Sequence, residues 1–160
     1  MPQNPAELRD GFHPCLCFNL RQAARRVSSF YDAHMAKAGL TATQFALLVE
    51  VAMRNGTPIS EIAERLGLDP STLSRTLRPL EIDGLLEIFA DPKNRRLRLV
   101  RLTGEGRGRL REGVQAWQAA QTAAMAAIPE GLVQALLEGT GRLPDIAHAG
   151  KPKRRRLPPE

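Results

Sequence analysis

Ser60-Glu61-Ile62-Ala63-Glu64-Arg65-Leu66-Gly67-Leu68-Asp69-Pro70-Ser71-Thr72-Leu73-Ser74-Arg75-Thr76-Leu77 is the stretch that decides the fold. Ile62, Ala63 and Leu66 recur at helical spacing and share one side of a short helix. Gly67 permits a sharp exit, having no Cβ to oppose a positive φ. Asp69 then offers a carboxylate to the free N–H groups of a new helix. Pro70 takes its first position, where a missing N–H is harmless. That second helix continues through Leu73, Leu77 and Leu80, so two short helices joined by a tight turn are expected. With Leu73 and Leu77 turned inward, Ser71, Thr72, Ser74, Arg75 and Arg78 are left outward.

Downstream, Leu85 to Ala90 and Arg96 to Leu102 are rich in strand-forming residues, and Asp91-Pro92-Lys93-Asn94 between them supplies turn formers. The expectation is a β-hairpin with a basic tip made by Lys93, Arg95 and Arg96. Hydroxyl and guanidinium groups on an exposed helix suit phosphates and base edges of a major groove about 12 Å wide. A basic loop directly after that helix can lie over the adjacent minor groove. An ordinary solvent-facing helix would carry similar residues, but the hairpin that follows favours double-stranded DNA.

Upstream, Asn19 and Gln22 have capping-box spacing, and Leu20, Ala23, Ala24, Val27, Phe30, Tyr31, His34 and Met35 follow at helical intervals to about Ala38. Gly39 is placed to end that helix. Thr41 and Gln44 repeat the capping signature before a helix closing near Asn55-Gly56. On the other side a long helix begins near Thr103 and carries Leu110, Val114, Trp117, Ala124, Met125 and Ile128; Pro129 starts the next, with Leu132, Val133, Leu136 and Leu137. Pro79, inside the outward-facing helix, predicts a kink or early loosening. The fold class is therefore mainly α with a small β-hairpin. It is a single domain in which a winged helix-turn-helix over about 41–102 is flanked by helical regions at about 14–38 and 103–148. Residues 149–160 form a basic tail containing Lys151-Pro152-Lys153-Arg154-Arg155-Arg156, expected to be mobile.

Composition agrees with a polyanionic partner. The 160 residues carry 23 Lys and Arg against 17 Asp and Glu, a formal charge of +6, and the pI is near 10.1. Residues 1–10 lack a signal-peptide apolar run, and no stretch approaches the roughly 20 apolar residues of a membrane span, so a soluble cytoplasmic protein is expected. An enzyme needs a nucleophile with a base or a convergent metal set, and His13, His34 and His148 lie in no catalytic motif. Gly104, Gly106 and Gly108 do not have the spacing of a phosphate-binding loop. Neither enzymatic activity nor a cofactor is expected.

From about Asn19 to Ile128 the chain resembles the MarR family of bacterial regulators. The resemblance is carried by Gly39-Leu40-Thr41 with Gln44-Phe45, by Ile62-Ala63-Glu64-Arg65-Leu66-Gly67-Leu68 and by Ser71-Thr72-Leu73-Ser74-Arg75. It continues through Leu80-Glu81 with Gly84-Leu85, Asp91 to Arg96, and Leu102-Thr103 with Gly106. The resemblance implies a homodimer in which the first helix and the last two of each chain intertwine, holding two winged domains over a pseudo-palindromic operator. The wing departs from the family's Asp-x-Arg-Asp-x-Arg: Lys93 replaces the first Arg and Asn94 the second Asp, leaving a brace between Asp91 and Arg96.

The resemblance also implies that ligand or thiol chemistry near the dimer region alters DNA affinity. Two routes stand open. A small aromatic or thioester effector would sit near Phe30, Tyr31, Met35 and Phe45, residues that plain core packing also accounts for. His13-Pro14-Cys15-Leu16-Cys17 is the one cluster of soft ligands; Cys15 and Cys17 share a face if extended and diverge if helical, so a redox switch, a thiophilic metal or metalloid site, and simple burial are all compatible. The function expected on sequence grounds is that of a ligand-responsive repressor. A non-specific architectural DNA binder and a protein-interaction adaptor are its rivals.

Overall fold

The computed structural model of the chain describes residues 15–142 apart from 55 and 130. The basic tail, His13 and His148 lie outside the described residues. The chain divides into two compact units after Thr122.

Helix α1 spans Leu16–Met35, with Cys15 in extended conformation at its N-cap and no side-chain cap bond. The helix thus starts a turn before the expected box at Asn19 and Gln22. Asn19 instead lies inside the first turn, where its Nδ2 donates to the Cys15 carbonyl at 3.0 Å, a local bond that short amides make readily in a helix. A 3-10 turn over Ala36–Ala38 follows, and Gly39 ends it at φ 64°. Helix α2, Ala42–Met53, opens on the expected capping box between Thr41 and Gln44. Asp32 of α1 accepts the Ala42 N–H at 2.7 Å, which ties the two helices at their junction.

The short strand β1, Thr57–Pro58, leads directly into α3, Ile59–Arg65. Helix α4 spans Pro70–Ile82 and is capped by Asp69. It runs on past Pro79 for three residues; the expected loosening does not end it there. Strands β2 (Leu86–Ala90) and β3 (Arg98–Leu102) are antiparallel, with Ile88 opposite Val100, and complete a sheet of order β1-β3-β2. Both are shorter than expected from the sequence. Gly84, at φ 69°, turns the chain so that the Leu85 N–H closes α4 on the Leu80 carbonyl at 2.9 Å and is withdrawn from the ladder.

Helix α5, Gly104–Ala127, begins without delay despite its three early glycines. Thr103 caps it, accepting the Gly106 N–H at 3.0 Å while donating to the Gly84 carbonyl at 2.6 Å. Helix α6 runs Leu132–Gly141. It starts three residues after the expected Pro129 because Gly131 occupies the left-handed region at φ 80°. The core of the first unit joins Leu47, Leu48 and Val51 of α2 to Ile62, Leu73, Leu77, Leu80 and Val100, all essentially without solvent exposure. No described helix is long and apolar enough to cross a membrane.

Candidate nucleic-acid interface

Helix α4 is held from below and open above. Leu73, Leu77 and Leu80 are buried on one side, while Ser71, Ser74, Arg75 and Arg78 are exposed on the other and Thr72 and Thr76 are half-buried. The spacing of three and four between the buried leucines fixes this orientation, since slipping any of them outward would expose a large apolar side chain.

Asp69 organises the N-terminus of α4 more tightly than a simple cap. One carboxylate oxygen accepts the backbone N–H groups of Ser71 and Thr72, each at 3.0 Å. The hydroxyls of both residues donate to the same carboxylate. These side-chain hydrogen bonds, followed by the backbone ones, hold the Asp69 carboxyl well below the ordinary carboxylate range. A hydroxyl has a single proton. As they stand, Ser71 and Thr72 therefore present only lone pairs, which complement amino-group donors on base edges and not phosphate oxygens. Asp69-Pro70-Ser71-Thr72 contains that bond pattern, but sequence reasoning had used Asp69 only as a cap.

The wing tip closes on itself. The Leu97 N–H donates to the Asn94 carbonyl at 2.8 Å and the Asp91 N–H to the Leu97 carbonyl at 3.0 Å. Asp91 accepts the Lys93 N–H at 2.7 Å, and Asn94 accepts the Arg96 N–H at 3.2 Å. The expected brace between Asp91 and Arg96 is not among the ion pairs of the described residues. With Asp91 turned onto its own loop backbone, Lys93, Arg95 and Arg96 are exposed cations outside any of those pairs. Arg98, which sequence reasoning passed over, joins them at the first position of β3. The alternation Arg96-Leu97-Arg98 was the signal for it.

Residues 40–97 match the family model described as MarR family. The transcriptional regulator MosR of M. tuberculosis, solved in complex with DNA, is 31% identical and superposes with a TM-score of 0.71 over 79% of this chain and 93% of its own. The chain belongs to the MarR family. A curated MarR-type relative is TtmR of Methylorubrum extorquens, an HTH-type transcriptional regulator 33% identical over 93 residues, 58% of this chain and 48% of its own length. The match thus spans about half of that relative. The transcriptional repressor CouR, solved on a 23-mer DNA duplex, is 25% identical with a TM-score of 0.72 over 88% of this chain and 97% of its own. These relatives are all transcriptional regulators.

A cavity of about 530 Å³ lies between α1, α2 and α5 of this MarR-type chain, lined by Tyr31, Met35, Ala42, Phe45, Ala46, Val49, Glu50, Leu66, Val114 and Trp117. Three of the four residues expected at an effector site, Tyr31, Met35 and Phe45, are brought together there, and Phe30 is not in the lining. The Phe45 and Trp117 rings stack with centroids 6.4 Å apart. Tyr31 donates its hydroxyl to Gln121 Oε1. Cys15 and Cys17 are free thiols away from this lining, Cys15 half-buried and Cys17 exposed. Cys17 lies within α1 and Cys15 at its N-cap, so the two are not part of one extended segment that would put both thiols on one face. No group of three or more potential metal ligands occurs among the described residues.

Proposed function

We propose that this chain is a sequence-specific DNA-binding transcriptional regulator, a homodimeric repressor on a pseudo-palindromic operator whose affinity falls when an effector binds. One observation carries the DNA-binding part: α4 presents Ser74, Arg75 and Arg78 outward in the same compact unit that presents the exposed wing cations Lys93, Arg95, Arg96 and Arg98, which form no ion pair among the described residues. In this reading α4 enters the major groove. Arg75 and Arg78 contact guanine edges or phosphates, Ser71 and Thr72 accept from base amino groups, and the wing follows the minor groove. MosR and CouR, each solved on DNA, support the same use of the fold.

The dimer is supported by apolar surface that a lone winged domain leaves uncovered. Leu16, Phe18, Val27 and Phe30 of α1 and Val114 and Trp117 of α5 are exposed, as are Leu132, Val133, Leu136 and Leu137 of α6. Such a surplus marks an interface. Residues 14–38 and 103–148 then serve dimerisation, and 41–102 serve DNA binding. The aromatic cavity touches helices of both kinds, so its occupant can bias the span between the two recognition helices, which must match about 34 Å for half-sites one turn apart.

Selection from random duplex oligonucleotides tests the proposal: an inverted repeat is expected. Recovery of all sequences equally would make the chain an architectural binder, and absence of duplex affinity at moderate salt would make it an adaptor. A second regulatory reading, a thiol or metalloid switch, is favoured by the accessibility of Cys17 and the partial exposure of Cys15. Operator release by oxidant or arsenite in the parent, absent in a double Cys→Ser variant, would establish it.

A further inference from the structure

The charge pattern of the aromatic cavity selects its ligand, an inference that rests on that cavity being the effector site. Among the described residues Glu50 is the one charged side chain in its lining, which includes no Lys, Arg or His. No ion pair neutralises Glu50 among the described residues. The Tyr31 hydroxyl spends its proton on Gln121, so it offers a ligand only a lone pair. The indole N–H of Trp117 is left as the single side-chain donor in the lining.

A carboxylate entering this space would shed water, meet no cation and approach a like charge, each of which opposes binding. A cation also sheds water but reverses the other two: it pairs with Glu50 and lies against the faces of Tyr31, Phe45 or Trp117. We infer that the Tyr31–Phe45–Trp117 cavity binds an apolar aromatic cation, of the class of a protonated arylalkylamine, in preference to an aromatic carboxylate. The volume, about 530 Å³, falls within the roughly 300–1,000 Å³ of small-molecule sites. Aromatic acids are disfavoured by the same geometry.

Three near-isosteric probes test this: 2-naphthylmethylammonium, 2-naphthylmethanol and 2-naphthoate, titrated calorimetrically into the full-length protein without DNA. The indole N–H resonance of Trp117, the only tryptophan, reports the location. The ammonium should bind about tenfold more tightly than the alcohol, the size of one good cation–π or ion-pair contribution, and the acid more weakly than either. Glu50→Gln should remove that advantage, and Glu50→Asp, which keeps the charge, should retain most of it. The inference is overturned if the acid binds as tightly as the ammonium, if Glu50→Gln leaves the order unchanged, or if the ammonium binds without moving the Trp117 resonance. Operator affinity is measured separately. A protein that binds the probes in the expected order yet holds its operator unchanged contradicts the regulatory proposal and leaves the ligand preference standing.

Discussion

Gly106→Ala and Gly108→Ala, two residues apart on α5, should change stability in opposite directions. A Cβ on Gly106 would lie 2.0 Å from the Leu85 carbonyl oxygen and 2.9 Å from its carbon. Cβ contacts under 3.0 Å are essentially unknown, so the helix must retreat by about 1 Å. The same carbonyl accepts the Thr103 N–H at 3.1 Å, and that retreat strains the bond. Overpacking costs about 1–3 kcal/mol and a lost hydrogen bond about 1 kcal/mol, while alanine returns about 1 kcal/mol of helix propensity. The net loss is about 1–3 kcal/mol, or roughly 2–12 °C in Tm for a chain of this size. At Gly108 the nearest atom to a new Cβ is the mobile Arg111 guanidinium at 3.8 Å, so alanine should stabilise by up to about 1 kcal/mol. Urea unfolding at one fixed protein concentration, with the m-value compared, measures both. A Gly106→Ala protein as stable as its parent would refute the packing of α5 against the α4–β2 junction.

Lys93→Ala and Arg95→Ala should each weaken binding to all duplexes alike and lower the slope of log affinity against log salt by about one; an unchanged slope places the wing off the DNA. Asp69 has a folded carboxyl pKa depressed from its ordinary value near 3.8. Its contribution to stability is therefore complete above that value and lost as pH falls toward the folded one. Asp69→Ala should accordingly destabilise at neutral pH by a margin that shrinks in acid, and a margin independent of pH would contradict the hydroxyl and backbone bonds assigned to it. Sedimentation equilibrium should report twice the 17.6 kDa chain mass; a folded monomer at micromolar concentration would remove the two-half-site arrangement.

Much of this was legible in the sequence because local chemistry sufficed. Thr41 with Gln44, Asp69 with Pro70, and the leucines at 73, 77 and 80 each declare a helix start or a buried face within a few residues, and the structure places them so. What escaped depended on distant partners. Thr57–Pro58 is too short to show a period, and becomes a strand only because Val100 and Leu99 lie opposite it; its proline is tolerable at a sheet edge. The closeness of Gly106 to Leu85 and the bond from Arg109 to the Ala38 carbonyl, 71 residues apart, cannot be read from spacing. At the wing, Asp91 had an equally good partner in its own backbone, and the shorter loop closure prevailed over the longer side-chain bridge.

Base reading by α4 is tested most directly by selection from random duplexes carried out in parallel with the parent and with Arg75→Ala. Arg75 is exposed on α4, and its removal should leave the helix folded. The parent should recover an inverted repeat with half-sites centred about one helical turn apart. Arg75→Ala should lose preference at one symmetric position, costing about 1–3 kcal/mol on the preferred sequence, while its affinity for random duplex and its salt slope stay nearly unchanged. An equal loss on preferred and random DNA, or an unaltered selected sequence, would contradict base reading by α4.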